Sequence, residues 1–129
     1  MARKMISNAQ VLINDVAIGY VPNSLKVKLG YGEDNYISQT GGGDIVIPIY
    51  SKNAETRVAE VSFDLSPYDV DIALFRSIKN RENNNVIVIA DNSSNFSLTF
   101  QEAALINDPD IEFSATGKFT VNFKSRPAI

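Results

Sequence analysis

Two-residue alternation dominates this chain. Leu25, Val27 and Leu29 alternate with Lys26 and Lys28. Ala59, Val61, Phe63 and Leu65 alternate with Glu60, Ser62 and Asp64. Phe96, Leu98 and Phe100 interleave with Ser97, Thr99 and Gln101, and Phe119, Val121 and Phe123 with Thr120, Asn122 and Lys124. Successive side chains of a strand point to opposite faces. Each stretch therefore predicts a strand with one face in a core and the other toward solvent or a partner. Val86, Ile87, Val88, Ile89 and Ala90 form an unbroken apolar run, which predicts a strand covered on both faces. Residues 44–50 predict another strand, with Ile45, Ile47 and Ile49 on one face. Pro48 cannot donate to a ladder and makes that strand an edge or an irregular one. Val46 lies opposite the isoleucines, so the strand is either buried on both sides or leaves a sticky edge in a monomer.

One segment switches to helical spacing. Ser66 is placed as an N-cap, Pro67 at the first helical position and Asp69 three residues after the cap. Ile72, Phe75 and Ile78, with Leu74, make an apolar stripe. Asp69 and Asp71 fall at the positive end of the helix dipole, and Arg76, Lys79 and Arg81 toward its negative end. The predicted helix runs over residues 67–80, and Asn83-Asn84-Asn85 then breaks into a loop. Residues 31–43 (YGEDNYISQTGGG) follow neither period and read as a long projecting loop or hairpin end. Residues 51–57 (SKNAETR) read as a second polar connection. A long loop in a compact chain is usually there for a purpose.

Composition narrows the function classes. The 129 residues suit one domain with one core. Fifteen acidic against twelve basic residues give a formal charge of −3, which argues against a dedicated nucleic-acid binder. There is no cysteine and no histidine. Disulfides, thiolate metal sites, cysteine nucleophiles and the commonest general base are therefore excluded. No Ser-x-x-Lys motif offers a lysine base instead, and Gly41-Gly42-Gly43 lacks the Lys-Ser/Thr of a phosphate loop. Asp69 with Asp71, and Asp108 with Asp110, read as helix-end and turn acids rather than as a metal or hydrolytic pair. The five tyrosines, Tyr20, Tyr31, Tyr36, Tyr50 and Tyr68, are not interleaved with a basic stripe and read as core or interface residues. No apolar run reaches the roughly 18 residues of a membrane span. The start of the chain does not read as a signal peptide, so a cytoplasmic site of folding is expected. No catalytic residue, metal ligand or cofactor is assigned.

Taken in order, several pieces resemble the tail tube proteins of contractile-tailed bacteriophages. They are residues 13–25 (INDVAIGYVPNSL), then Gly30-Tyr31-Gly32-Glu33, then Gln39-Thr40-Gly41-Gly42-Gly43. Residues 51–57 with the following 58–65, Asn107-Asp108-Pro109, and the ending Phe123-Lys124-Ser125-Arg126-Pro127 complete the resemblance. The length and the absence of His and Cys fit it. The tubes of type VI secretion and of pyocins are related to the same family.

The resemblance implies a mainly β fold: a β-sandwich or partly closed barrel, one flanking helix at about 67–80, and the projecting loop at about 31–43. It implies a single domain over 1–129, with contact arms at 1–7 and 126–129. It implies a structural, non-enzymatic virion protein in the phage tail, assembled in the host cytoplasm. Six copies would form a ring, and rings would stack into the inner tube. The partners implied are identical copies, the sheath, the tape measure protein, the baseplate hub and the tail terminator. DNA passes through without specific binding. The alternatives are a tube subunit of a related injection system or a tube-capping ring that does not polymerise. Expected contact residues are Tyr31, Glu33, Asp34, Tyr36, Gly41, Gly42, Gly43, Arg3, Lys4 and Arg126. Expected lumen-facing residues are Glu60, Ser62, Asp64, Gln101 and Glu102.

Overall fold

The computed structural model describes residues 3–129. In chain order the elements are β1 (Gln10–Ile13), β2 (Val16–Ile18), β3 (Lys26–Lys28), β4 (Asn35–Thr40), β5 (Val46–Ser51), β6 (Ala59–Leu65), α1 (Asp69–Asn80), β7 (Asn85–Asp91), β8 (Phe96–Leu105) and β9 (Phe119–Ser125). Seven strands make one antiparallel sheet in the order β2-β1-β7-β8-β9-β6-β3, while among the described residues β4 and β5 pair only with each other. The sheet folds over on itself as an open sandwich and does not close into a barrel. The fold class is therefore the expected one.

The alternation of β6 and β9 builds the centre of the core. Val61, Phe63 and Leu65 stand opposite Phe123, Val121 and Phe119, and all six are buried. The rings of Phe63 and Phe123 stack with centroids 6.0 Å apart. Each such side chain contributes roughly 1.5–3 kcal/mol by leaving water. Ile87 and Ile89 of β7 and Val11 and Ile13 of β1 complete the interior. The outer face of β7 is not covered as its apolar run predicts: Val86 is exposed and Val88 only half-buried. A single-core sandwich has no second layer to lay over it.

Strand β8 passes from one half of the sheet to the other. Phe100 and Ala103 both face inward, although they are three residues apart. Opposite them, β7 advances only from Ile87 to Asn85, so β8 carries one extra residue. Glu102 absorbs it with φ +52°, and Gln101 and Glu102 both turn outward. This is a β-bulge, and it bends β8 so that its far end pairs with β9.

The helix begins two residues later than its cap signal predicts. Tyr68, not Ser66, is the residue before the first turn, and no side chain caps it. Ser66 instead accepts through its carbonyl from the Tyr68 N–H at 2.8 Å, which makes a tight turn out of β6. The C-terminal end at Asn80 is as predicted. Ile78 is buried, and Ile72, Leu74 and Phe75 pack on the core, with Phe75 edge-on to Phe119.

The third asparagine of 83–85 is no loop residue. Asn85 opens β7 and is 0% exposed. Its side-chain N–H groups reach the carbonyls of Ile78, Glu82 and Ala103 at 3.1–3.2 Å. Its carbonyl oxygen accepts from Asn14 Nδ2 at 2.9 Å. Asn14 sits with Asp15 in the tight β1–β2 turn, both at positive φ. One amide thus joins the helix end, β8 and the first hairpin. Replacing a buried hydrogen-bonded group strands its partners at about 1–3 kcal/mol. Asn85→Ala is therefore expected to lower stability to denaturant by about 2 kcal/mol. A loss indistinguishable from zero would contradict this role.

Candidate functional site

The β4–β5 hairpin stands away from the sandwich. Its six registered pairs run from Asn35 with Ser51 to Thr40 with Val46. At about 3.4 Å per residue the ribbon extends about 17 Å. Directly paired residues share a face, so Ile37, Ile47 and Ile49 lie on one side and Tyr36, Val46, Pro48 and Tyr50 on the other. Neither side is covered by the described residues of this chain. Tyr36 is 67% exposed, Val46 63% and Ile37 54%. Of the two readings of residues 31–43, a long loop or a projecting hairpin end, the structure has the hairpin, because β4 occupies residues 35–40. The alternative of a strand at 44–50 buried on both sides is corrected. Asp44 and Ile45 belong to the tip, where Gly42–Asp44 make a 3-10 turn. Alternation is missing from β4 because neither of its faces is buried, and Ser38, Gln39 and Thr40 put polar residues on both.

The hairpin joins the sandwich through a polar knot. Asp34 accepts from the Tyr50 hydroxyl and from the Asn53 N–H, the latter at 3.2 Å. It also pairs with Arg57 Nη2 at 3.0 Å. The other arm of the Arg57 guanidinium donates to the Tyr31 carbonyl. Thr56 Oγ1 accepts from the Glu33 N–H at 2.7 Å, and its single O–H is shared between the carbonyls of Asn53 at 2.8 Å and Glu33 at 3.1 Å. Below the knot, Gly30 at φ +85° runs against β6, where a Cβ would lie 2.6 Å from the Ala59 nitrogen. An open groove of about 550 Å3 lies beside it, walled by Val27, Leu29, Tyr31, Thr56, Val58 and Lys124. The knot holds the Asp34 carboxyl below its ordinary value, chiefly through the Tyr50 hydroxyl, and the same bond holds the Tyr50 phenol above its own.

The outer face of the β3-β6-β9-β8 sheet gathers Glu60, Ser62, Asp64, Gln101 and Glu102. Rows across the strands set Lys28 beside Glu60 and Glu60 beside Lys124, then Lys26 beside Ser62 and Ser62 beside Asn122. Lys124 Nζ lies 3.9 Å from Glu60 and Arg126 Nε 3.6 Å from Glu102. Thr120 Oγ1 donates to Asp64 at 2.5 Å. Acids and cations interleave, so the face is charge-compensated. Exposed pairs of this kind add little stability. They do leave few cations free of an acidic neighbour.

The expected contact residues fall in three places. Tyr31, Glu33, Asp34, Tyr36 and Gly41 to Gly43 lie along the hairpin and its base. Lys4 donates to the Ser93 carbonyl at 3.1 Å, at the β7–β8 turn, with Arg3 exposed beside it. Arg126 shares the sheet face with Glu102. The first two residues of the 1–7 segment lie outside the described residues. Residues 126–129 run along their own sheet: Ala128 N–H donates to the Leu29 carbonyl at 2.9 Å, and Ile129 exchanges bonds with Thr99. Sequence reasoning missed Arg57, Thr56, Lys26, Lys28 and Lys124 as members of these surfaces. A polar connection following a glycine-rich loop was the available signal for the first two.

No protein-family model matches the chain, and no curated protein matches it. Solved structures of the same fold exist at low identity. A chain of the PVC sheath–tube complex of an extracellular contractile injection system, in its extended state, superposes with TM-score 0.60 at 12% identity. It covers 97% of this chain and 88% of its own. The tube-terminating cap of the anti-feeding prophage gives 0.62 at 9%, over 100% and 91%. The sheath/tube terminator of the PVC system gives 0.63 at 12%, over 100% and 96%. All three are named as parts of injection machinery and none as an enzyme.

The sign of the Asp34 effect is definite. A carboxyl whose value is lowered by folding contributes stability that is complete above its ordinary 3.8 and fades as pH falls through the lowered value. Followed by carboxyl NMR, Asp34 is expected to titrate below 3.8, and Tyr50→Phe to move that titration upward. Titration at or above 3.8 in the parent chain would contradict the knot.

Proposed function

We propose that this chain is a structural subunit of the inner tube of a contractile injection machine, forming rings of identical copies that stack head to tail. The observation that carries the reading is the β4–β5 hairpin, apolar on both faces, whose strands pair with no other strand among the described residues. A lone two-stranded ribbon is marginal in water. Apolar patches and bare strand edges of this size mark association surfaces. A hairpin from one copy that seats on a different surface of the next makes a heterologous contact, and repeating it yields a filament.

Two further features support the ring. Strands β2 and β3 form the sheet margins, each paired on one side only. Sheets of neighbouring copies joined at these margins would give a continuous wall. The charge-compensated face with Glu60, Ser62, Asp64, Gln101 and Glu102 suits the lumen side of such a wall. DNA affinity comes from cations that release counterions from phosphate, and here Lys28, Lys124 and Arg126 already have acidic neighbours. In the finer form of the proposal six copies make each ring of a bacteriophage tail, located in the virion. A sheath lies outside, the tape measure protein and then DNA within, and hub and terminator at the ends. The N-terminal segment and residues 126–129 add contacts between copies, and no step of the work is catalytic.

A second reading is a ring of a related injection device that caps a tube without polymerising. The likeness to a tube-terminating cap and to a sheath/tube terminator supports it. Electron microscopy of the concentrated protein separates the two. The tube reading predicts stacked rings for the parent chain. With Ile37→Lys and Ile47→Lys combined, it predicts loss of stacking at an unchanged unfolding midpoint. Rings that never stack favour the cap. A monomer at every concentration and in every buffer would contradict both.

A further inference from the structure

We propose that the Asp34–Tyr50–Arg57 knot is a positioning lock that fixes the direction of the hairpin before a second copy engages it. The inference rests on the tube reading for the identity of what is engaged, but not for the lock itself. No strand of the main sheet pairs with β4 or β5, so the hairpin is a lever held at its base. A rotation of about 20° there would carry the end of a 17 Å ribbon by about 6 Å, more than the spacing between paired strands. A freely swinging hairpin would present its isoleucine face to a neighbour only part of the time. Its apparent affinity would fall by that fraction.

The knot has the connectivity such a lock requires. Asp34 precedes β4, Tyr50 lies within β5, and Arg57 stands two residues before β6. The carboxylate therefore bonds to both strands of the lever, through chain continuity and the Tyr50 hydroxyl, and to the body through the guanidinium. Because Arg57 also donates to the Tyr31 carbonyl, it grips the incoming chain on a second atom. The planar fork of arginine makes two such contacts at a fixed angle, which a lysine cannot. Gly32 is an independent sign that the site is built. At φ +82°, a Cβ there would come within 2.8 Å of Arg57 Cγ and 2.9 Å of Thr56 Oγ1. Neither atom is the far end of a long flexible side chain, so the clasping residues themselves would have to shift. Any other residue at 32 would push the two clasping side chains apart.

The chain has no cysteine, so two introduced cysteines can be labelled uniquely. Spin labels at Thr40→Cys near the hairpin end and Asn92→Cys in the exposed β7–β8 turn report the lever's direction as a distance distribution. The measurement is made on chains too dilute to assemble. The parent is expected to give a narrow distribution, and Asp34→Asn and Tyr50→Phe each to widen it by roughly twofold. Tyr50→Phe removes a single hydroxyl, so it decides the matter if Asp34→Asn does not fold. Equal widths in the parent and Tyr50→Phe would overturn the lock. Sedimentation then reads the consequence: the concentration needed for assembly is expected to rise roughly tenfold in the lock variants. Widening without any such rise would overturn the claim that direction matters for engagement. A parent that never assembles would instead count against the tube reading, and the distance widths would still decide the lock.

Discussion

A two-stranded ribbon cannot bury itself. Its side chains point to two faces and its outer backbone groups to two edges, and pairing the strands satisfies only the bonds between them. In this chain the ribbon carries isoleucines on one face and tyrosines, valine and proline on the other. The polar knot at its base fixes where it starts but covers none of its length. The hairpin thus leaves apolar faces and strand edges exposed independently of anything else in the molecule, and the proposed function has a neighbouring copy cover them.

The sandwich meets its own demands internally. The bulge at Gln101 and Glu102 bends β8 so that one strand serves both halves of the sheet. Asn85 satisfies the backbone at the point where helix, β8 and the first hairpin converge. Asn107 finishes the sheet where β8 ends, its side chain bonding the Thr120 carbonyl at 2.7 Å and the Asn122 N–H at 2.9 Å. These devices leave the interior closed while the β2 and β3 margins stay open. The contrast between a completed core and uncompleted margins is what the proposed subunit role requires.

Much of this was legible from side-chain spacing alone. The strands β6, β8 and β9 and the helix stripe follow directly from their periods, because burial on one face imposes the pattern. Other parts were hidden for physical reasons. Strands β1 and β2 are four and three residues long, too short to display a period. The bulge was visible in principle as a phase slip, since Phe100 and Ala103 cannot both face inward in a regular strand. Ser66 has the right chemistry for a cap, but the chain needs those residues to turn out of β6. The polar members of β6 were correctly grouped as one face. Their cationic neighbours on β3 and β9 were not, because cross-strand register is not written in any one strand. The knot joins residues 34, 50 and 57 across the hairpin, and only pairing of β4 with β5 brings them together.

The central claim is that identical neighbours cover the hairpin. Amide hydrogen exchange over residues 35–51, followed as protein concentration rises, tests it most directly. The account predicts that these amides become progressively protected while those of Val61, Phe63 and Phe123 stay unchanged. Exchange in the hairpin that is equally fast at all concentrations, including those giving assembled particles, would contradict it.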